Sequence, residues 1–254
     1  MALYEIRGLA KRFGDNVVLQ SIDLEVFEGE RITLIGKSGS GKSVLLKLMI
    51  GLLRPDAGTI VFEGEDVTRA PEREWIEVRK RIGMLFQWDA LFDSLDVADN
   101  VAYGLREQRV LDEAAIAARV SECLAQVSLP GIEAMWPASL SGGMRKRVGL
   151  ARAIASRPDV VLYDEPTEGL DPINVTRVDR LLDSLRFGSG VTTVVATQNM
   201  QSAFNASDRL ALVHGGMIAK AGTPDELREW GDPRIEPFVR SSELRAKTRP
   251  SVPS

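Results

Sequence analysis

The chain has 254 residues, 44% of them hydrophobic and 27% charged, and a formal net charge of -4. That length and balance suit one large α/β domain or two small ones with a proper core, and the acidic charge excludes the basic footprint needed to wrap nucleic acid. The single cysteine, Cys123, excludes an internal disulfide and fits a reducing compartment, while no apolar run approaches the ~18 residues that span a bilayer and Met1-Ala2-Leu3-Tyr4-Glu5 is not a signal-peptide start.

Leu3, Ile6 and Leu9 lead to a turn at Gly14-Asp15-Asn16, after which Ile22, Leu24 and Val26 recur at every second position, as in a half-buried strand. A turn at Glu28-Gly29-Glu30 precedes Ile32–Ile35, an apolar strand suited to a parallel sheet covered on both faces. From Lys42 to Leu52 the spacing becomes helical, through Val44, Leu45, Leu48, Met49 and Leu52, with Gly51 and Pro55 marking its end. Gly58–Phe62 reads as another strand. Asp112 is an N-cap for a helix whose stripe is Ile116, Val120, Cys123, Leu124 and Val127. A further helix begins near Ser141, turns Met144, Val148, Ala151 and Ile154 inward, and ends before Pro158; strands return at Val160–Tyr163 and Val191–Ala196. The order predicts a parallel α/β sheet with a helical subdomain let into it. After about Pro237 the composition turns polar and basic, as in a tail without a core of its own.

Gly36-Lys37-Ser38-Gly39-Ser40-Gly41-Lys42-Ser43 matches G-x-x-x-x-G-K-[ST] between an apolar strand and a helix. Glycines let the backbone wrap phosphates without Cβ clashes. The N–H groups form an anion nest, and the helix N-terminus adds positive potential. Lys42 is expected to reach the β- and γ-phosphates of ATP, and the Ser43 hydroxyl to hold Mg²⁺. A Gly-rich turn that binds nothing is the competing reading, and the flanking strand and helix weigh against it.

Val160–Tyr163 leads into two acids, Asp164 and Glu165. Side chains alternate along a strand, so the two cannot share one task. Asp164 is placed for the Mg²⁺ shell and Glu165 to orient and activate the attacking water. Leu140-Ser141-Gly142-Gly143-Met144 puts two glycines behind a capping serine at a helix start, a second anion site made of N–H groups. An ordinary cap accounts for Ser141 but not for the double glycine. Two half-sites for phosphate in one chain suggest two chains, head to tail, sharing two nucleotides.

These residues together resemble the ABC ATPase family, from roughly Leu3 to Gly222. The resemblance implies a RecA-like P-loop NTPase core, an antiparallel β subdomain and an inserted helical subdomain near 88–156, within an ATPase domain of residues 1–236 followed by a flexible tail, 237–254. Leu140–Met144 resembles the family signature, which implies that Ser141, Gly142 and Gly143 meet the γ-phosphate held by the partner's P-loop. Gln87, after the strand Ile82–Phe86, corresponds to the glutamine that contacts Mg²⁺ or water and couples to the membrane subunit. Phe13 takes the place of the aromatic that stacks on adenine. Gly169-Leu170-Asp171 resembles the loop whose aspartate crosses the dimer interface.

One position departs from the family pattern. Gln198 stands where the family carries a histidine, and the chain's one histidine, His214, lies in what reads as a late turn. Glutamine keeps an N–H donor for a phosphate oxygen but neither the charge nor the proton exchange of imidazole. Losing one well-placed donor in a transition state costs ~10²–10³ in rate, so a slow motor is expected; adequate function with Glu165 intact is the competing reading.

Gly83–Gln87 with Ala90-Leu91-Phe92, Asp99–Tyr103, Met144–Ile154 and Gly222–Leu227 resemble ATPases of Mla/MCE lipid-transport systems. The resemblance implies a homodimer at the cytoplasmic face of the inner membrane, under a permease pair and with an MCE-type lipid-binding subunit. Amino-acid importers share much of this framework. Trp88, Leu91, Phe92 and Leu95 are either anchors for a permease helix, in a groove near Gln87–Leu95, or core of the helical subdomain. A soluble ABC ATPase acting on DNA or ribosomes lacks its usual second cassette and charge here, a small-molecule P-loop kinase would need no Leu140–Met144, and a regulatory module that hardly hydrolyses rests on Gln198 alone.

Overall fold

The computed structural model describes residues 1–87 and 91–240, with 172 and 185–189 described by their backbone alone. The chain divides into two compact units: Met1–Arg69 with the chain from Val195 onward, and Ala70–Val194. The first unit opens with antiparallel strands β1 (Ala2–Phe13) and β2 (Asn16–Phe27). Their alternation buries Leu3, Ile6, Leu9, Ile22, Leu24 and Val26 on one face, as expected. Strand β3 (Arg31–Ile35) is buried at every position, and α1 (Lys42–Met49), β4 (Ala57–Phe62) and the short β5 (Glu65–Asp66) follow. Helix α1 stops three residues before the expected Leu52. Gly51 takes the left-handed conformation, φ 68°, and turns Leu52 outward to 48% exposure.

The second unit contains α2 (Glu72–Lys80), β6 (Ile82–Leu85), α3 (Val97–Gln108), α4 (Glu113–Gln126), α5 (Gly142–Ala155), β7 (Val160–Asp164) and α6 (Pro172–Ser189). The oxygen of Asp112 accepts the Ala115 N–H and starts α4, whose Ile116, Val120, Cys123 and Leu124 are buried in the expected stripe. Helix α5 packs against α3 and α4 and buries Val148, Ala151 and Ile154. Met144 is only half-buried, because it sits in the first turn beside exposed Ser141 and Gly142. Strands β6 and β7 pair in parallel from Ile82 with Val160 to Leu85 with Tyr163. A Cβ on Gly83 would stand 2.2 Å from the Ala153 carbonyl, so glycine is what allows β6 to approach α5.

Strand β8 (Thr192–Thr197) contains the division between the units. Beyond it the first unit resumes with α7 (Met200–Ala206), β9 (Arg209–His214), β10 (Met217–Gly222) and α8 (Pro224–Glu229). Its strand order is β5-β4-β1-β2-β10-β9-β3, and β3 runs parallel to β9 from Ile32 with Arg209 to Ile35 with Leu212. The chain is of the α/β P-loop class that the motif order predicted. His214 is the last residue of β9, before the turn at Gly215-Gly216. Met200, Phe204, Leu210, Leu212, Leu227 and Ile235 form a buried cluster with Ile35, and Phe238 and Val239 pack against it. Ordered packing therefore runs past Pro237; the rest of the expected tail, 241–254, lies outside the described residues, as do Trp88 and Ala90. Among the described residues no helix is long and apolar enough to cross a membrane.

Candidate functional site

In the first unit, the buried strand β3 delivers the chain into Gly36–Gly41 and then into α1. Gly41 stands at the N-cap with φ 102°, no side chain caps the helix, and its first turn carries no acid. The N-terminal N–H groups are thus left to an anion, which a helix terminus attracts. A Cβ on Gly36 would lie 2.4 Å from the Val213 carbonyl and 2.9 Å from Ser40 Oγ, and one on Gly41 would lie 2.5 Å from Leu19 Cδ2. The loop is drawn this tight because glycine occupies both ends. Ser40 Oγ is buried without a hydrogen-bond partner among the described residues, an orphaned polar atom that fits a phosphate cradle. Lys42 is 5% exposed, and its Nζ donates to the carbonyls of Gly36 at 3.0 Å and Lys37 at 3.1 Å. Lys37, Ser38 and Gly39 are exposed, and Ser43 is half-buried.

Phe13 ends β1 with 47% exposure, and the Lys11 ammonium lies 5.4 Å from its ring centre. The exposed ring fits a stacking surface, and the lysine is its present neighbour. Gln198 is exposed just past β8. It is placed there by Asn199, whose N–H donates to Thr197 Oγ1 and whose side-chain oxygen accepts the Ser202 N–H to cap α7.

The second unit holds the remaining expected residues. Asp164 ends β7 at 3% exposure and Glu165 follows at 5%. Glu165 has φ 49°, a left-handed conformation that costs a non-glycine residue ~1–3 kcal/mol and collects at functional sites. Its carbonyl accepts from Lys146 Nζ at 3.2 Å and from the Glu168 N–H at 3.2 Å, so the strained peptide is held from two sides. Gln87 Nε2 donates to the Glu168 carboxylate at 2.8 Å. Ser141 caps α5 by accepting the Met144 N–H at 3.3 Å; Gly142 and Gly143 open the helix, and its first turn carries no acid either. Asp171 Oδ1 accepts the N–H groups of Ile173 and Asn174. These bonds and the Asn174 side-chain amide hold its carboxyl below the ordinary carboxylate range. Asn174 also lies over Gly143, where a Cβ would meet its side chain at 3.5 Å.

Lys146, Glu168 and Asn174 were not singled out in the sequence. Lys146 and Glu168 touch expected residues 19 and 81 positions away, which no local pattern marks, whereas Asn174 bonds Asp171 three residues away and meets Gly143 through space. Leu91 and Leu95 are half-buried, but Phe92 is 43% and Tyr103 45% exposed, their ring centres 4.8 Å apart. Phe92 is therefore not core. The loop that presents it is tied by buried Asn100, whose amide bonds Phe92 N–H and the carbonyls of Phe92, Leu95 and Asp96.

Residues 19–168 match the ABC transporter family. The sulfate/thiosulfate import ATP-binding protein CysA of Caulobacter vibrioides is 41% identical over 88% of this chain, which spans 66% of that protein's length. The intermembrane phospholipid transport system ATP-binding protein MlaF of Haemophilus influenzae is 38% identical over 94% of this chain and 90% of its own length. Among solved structures, the dimeric post-hydrolysis state of the ATP-binding cassette MJ0796 bound to ADP and phosphate superposes with a TM-score of 0.81. It is 28% identical and covers 87% of this chain and 98% of that one.

Proposed function

This chain belongs to the ABC transporter family and is an ATP-binding ATPase, and we propose that it is the homodimeric motor of a transporter that moves phospholipid or a related lipid. The uncapped, glycine-edged N-terminus of α1 with its partnerless Ser40 hydroxyl carries the nucleotide reading. Lys42 exchanges its loop carbonyls for the β- and γ-phosphates, and the N–H groups of 36–43 cradle them. Glu165 orients the attacking water and takes its proton. Gln198 offers a neutral donor to the γ-phosphate, Phe13 stacks on the base, and Ser141, Gly142 and Gly143 close over the nucleotide of the partner copy, with Asp171 at that interface.

Ser43, Asp164 and Gln87 suit Mg²⁺. Among the described residues no group of three His, Cys, Asp or Glu side chains forms a metal cage, and Mg²⁺ is ordinarily bound through one or two protein oxygens together with substrate phosphates. When bound it neutralises charge developing on the β- and γ-oxygens.

Membrane attachment runs through a permease at the cytoplasmic face of the inner membrane. The exposed Phe92–Tyr103 pair, flanked by Leu91 and Leu95, supports a docking groove near Gln87–Leu95, since clustered aromatic anchors dominate such contacts. The likeness to MlaF supports phospholipid as cargo, and an MCE-type subunit is the further partner that this reading implies. The likeness to CysA supports a second reading, import of a small polar solute. The test is Mg²⁺-dependent ATP turnover of the chain purified with its permease, with Glu165→Gln as the inactive control. Turnover ~10²-fold or more above the control is expected, rising when phospholipid is offered. Stimulation by sulfate or an amino acid instead moves the cargo to the second reading, and turnover equal to the control makes the chain a regulatory ATP-binding module.

A further inference from the structure

Within the second unit, the end of α4, the middle of α5 and the face of α6 line an open pocket of about 580 Å³, inside the range of small-ligand sites, roughly 300–1,000 Å³. Its polar lining is Gln126, Ser128, Arg147, Arg177, Arg180 and Ser184, with no carboxylate among the described lining residues. Three guanidinium groups thus gather in a chain whose net charge is -4. None of these positions belongs to the nucleotide-binding set.

The three arginines are not equivalent. Arg147 is half-buried and already employed: Nη1 donates to the carbonyls of Val127 and Ser128 at the end of α4, and Nε donates to the carbonyl of Gly143 at 3.3 Å. Burial, and then the charge of Arg177, lower its affinity for the proton, so two like charges stand close together. Arg177 and Arg180 are exposed on α6 and make no hydrogen bond or ion pair among the described residues. Converging guanidinium groups without an acidic partner are stabilised by an anion, and their planar forks match the geometry of phosphate.

We propose that this pocket is an anion site for a phosphate-bearing ligand, held chiefly by Arg177 and Arg180 and shared with Arg147. Arg147 connects the pocket to the second glycine of the Ser141-Gly142-Gly143 run. Occupancy therefore alters how firmly that glycine's carbonyl is held, and so adjusts ATP turnover. The phosphate comes either from a soluble phosphate monoester or from a lipid headgroup.

The test compares the full chain with its Arg177→Gln/Arg180→Gln variant, both saturated with Mg-ADP in the binding measurements so that the P-loop is filled, and both free of ADP when turnover is measured. Both arginines are exposed, so an unchanged thermal midpoint is expected and serves as the control for folding. Glycerol 3-phosphate is titrated by calorimetry, and flotation is measured with phosphatidylcholine vesicles with and without phosphatidic acid. Binding of glycerol 3-phosphate that weakens at least ~10-fold in the variant supports a soluble ligand. Flotation only with phosphatidic acid, lost in the variant, supports a headgroup. In either case the same probe changes the ATP turnover of the native chain and not of the variant. Equal behaviour of the two proteins towards both probes, including no binding by either, overturns the proposal.

Discussion

Lys146 Nζ donates a 3.2 Å hydrogen bond to the main-chain carbonyl of Glu165, joining the second turn of α5 to a residue that combines a side chain with a left-handed backbone. The strained peptide needs support from its surroundings, and Lys146 supplies part of it from the helix that Ser141 caps. The carboxylate assigned to the attacking water and the helix assigned to the partner's nucleotide are thereby tied within one unit.

Lys146→Met removes that donor while keeping the length of the side chain. The kcat for ATP is expected to fall ~10-fold with KM within ~2-fold, because positioning of Glu165 is lost and ground-state binding is not. Lys146→Arg should recover most of the rate. Steady-state kinetics decide, and a loss confined to KM would remove Lys146 from this role.

Gln198 is exposed immediately before α7, which Asn199 caps. Gln198→His restores an imidazole at that position without touching the cap. A rise in turnover of ~10-fold is expected, the part of a transition-state donor that an imperfect neutral substitute forgoes. Turnover within ~2-fold of the native chain would mean that glutamine is sufficient.

Asn100 is fully buried and satisfies Phe92, Leu95 and Asp96 at once. Asn100→Ala leaves those backbone groups without their partner, at a cost of about 3 kcal/mol. Urea unfolding should register that loss. Permease capture should weaken while nucleotide binding persists, since the loop that presents Phe92 is freed. An unmoved unfolding midpoint would deny the network its structural weight.

Burial pushes the Cys123 thiol up to about 11, against ~8.5 for a free cysteine. The folded chain keeps this proton more tightly than the unfolded one. The associated stability is therefore complete below the unfolded value and is lost as pH rises through about 11. A thiol reagent at pH 7.5 should leave the native chain unmodified and label it fully in denaturant. Rapid native labelling would place Cys123 nearer solvent than the stripe of α4 allows.

The P-loop, the acid pair and the Ser141 cap were legible because each is written within a few consecutive residues. Glycine at positions 36 and 41, serine at an N-cap and acids at a strand end act through the backbone of their own segment. The same locality explains the misses. Leu52 fits the helical period, but the left-handed Gly51 ends the helix sooner. Strands β9 and β10 were passed over because half of their pairing partners lie far away in sequence. Phe92 reads equally as core or as surface until its exposure is known.

By itself the sequence determined that two helix N-termini are built to suit phosphate and that the elements follow the order of a P-loop cassette, because N–H groups at a helix start point the same way wherever the helix is placed. Only the tertiary structure decided which side chains serve those sites. Lys146 reaches Glu165 across 19 residues and Gln87 reaches Glu168 across 81. The arginines of α5 and α6 come together only because both helices line one pocket. Such meetings depend on how whole elements fit against one another, which is settled by burial of their apolar faces and leaves no mark at the polar residues themselves.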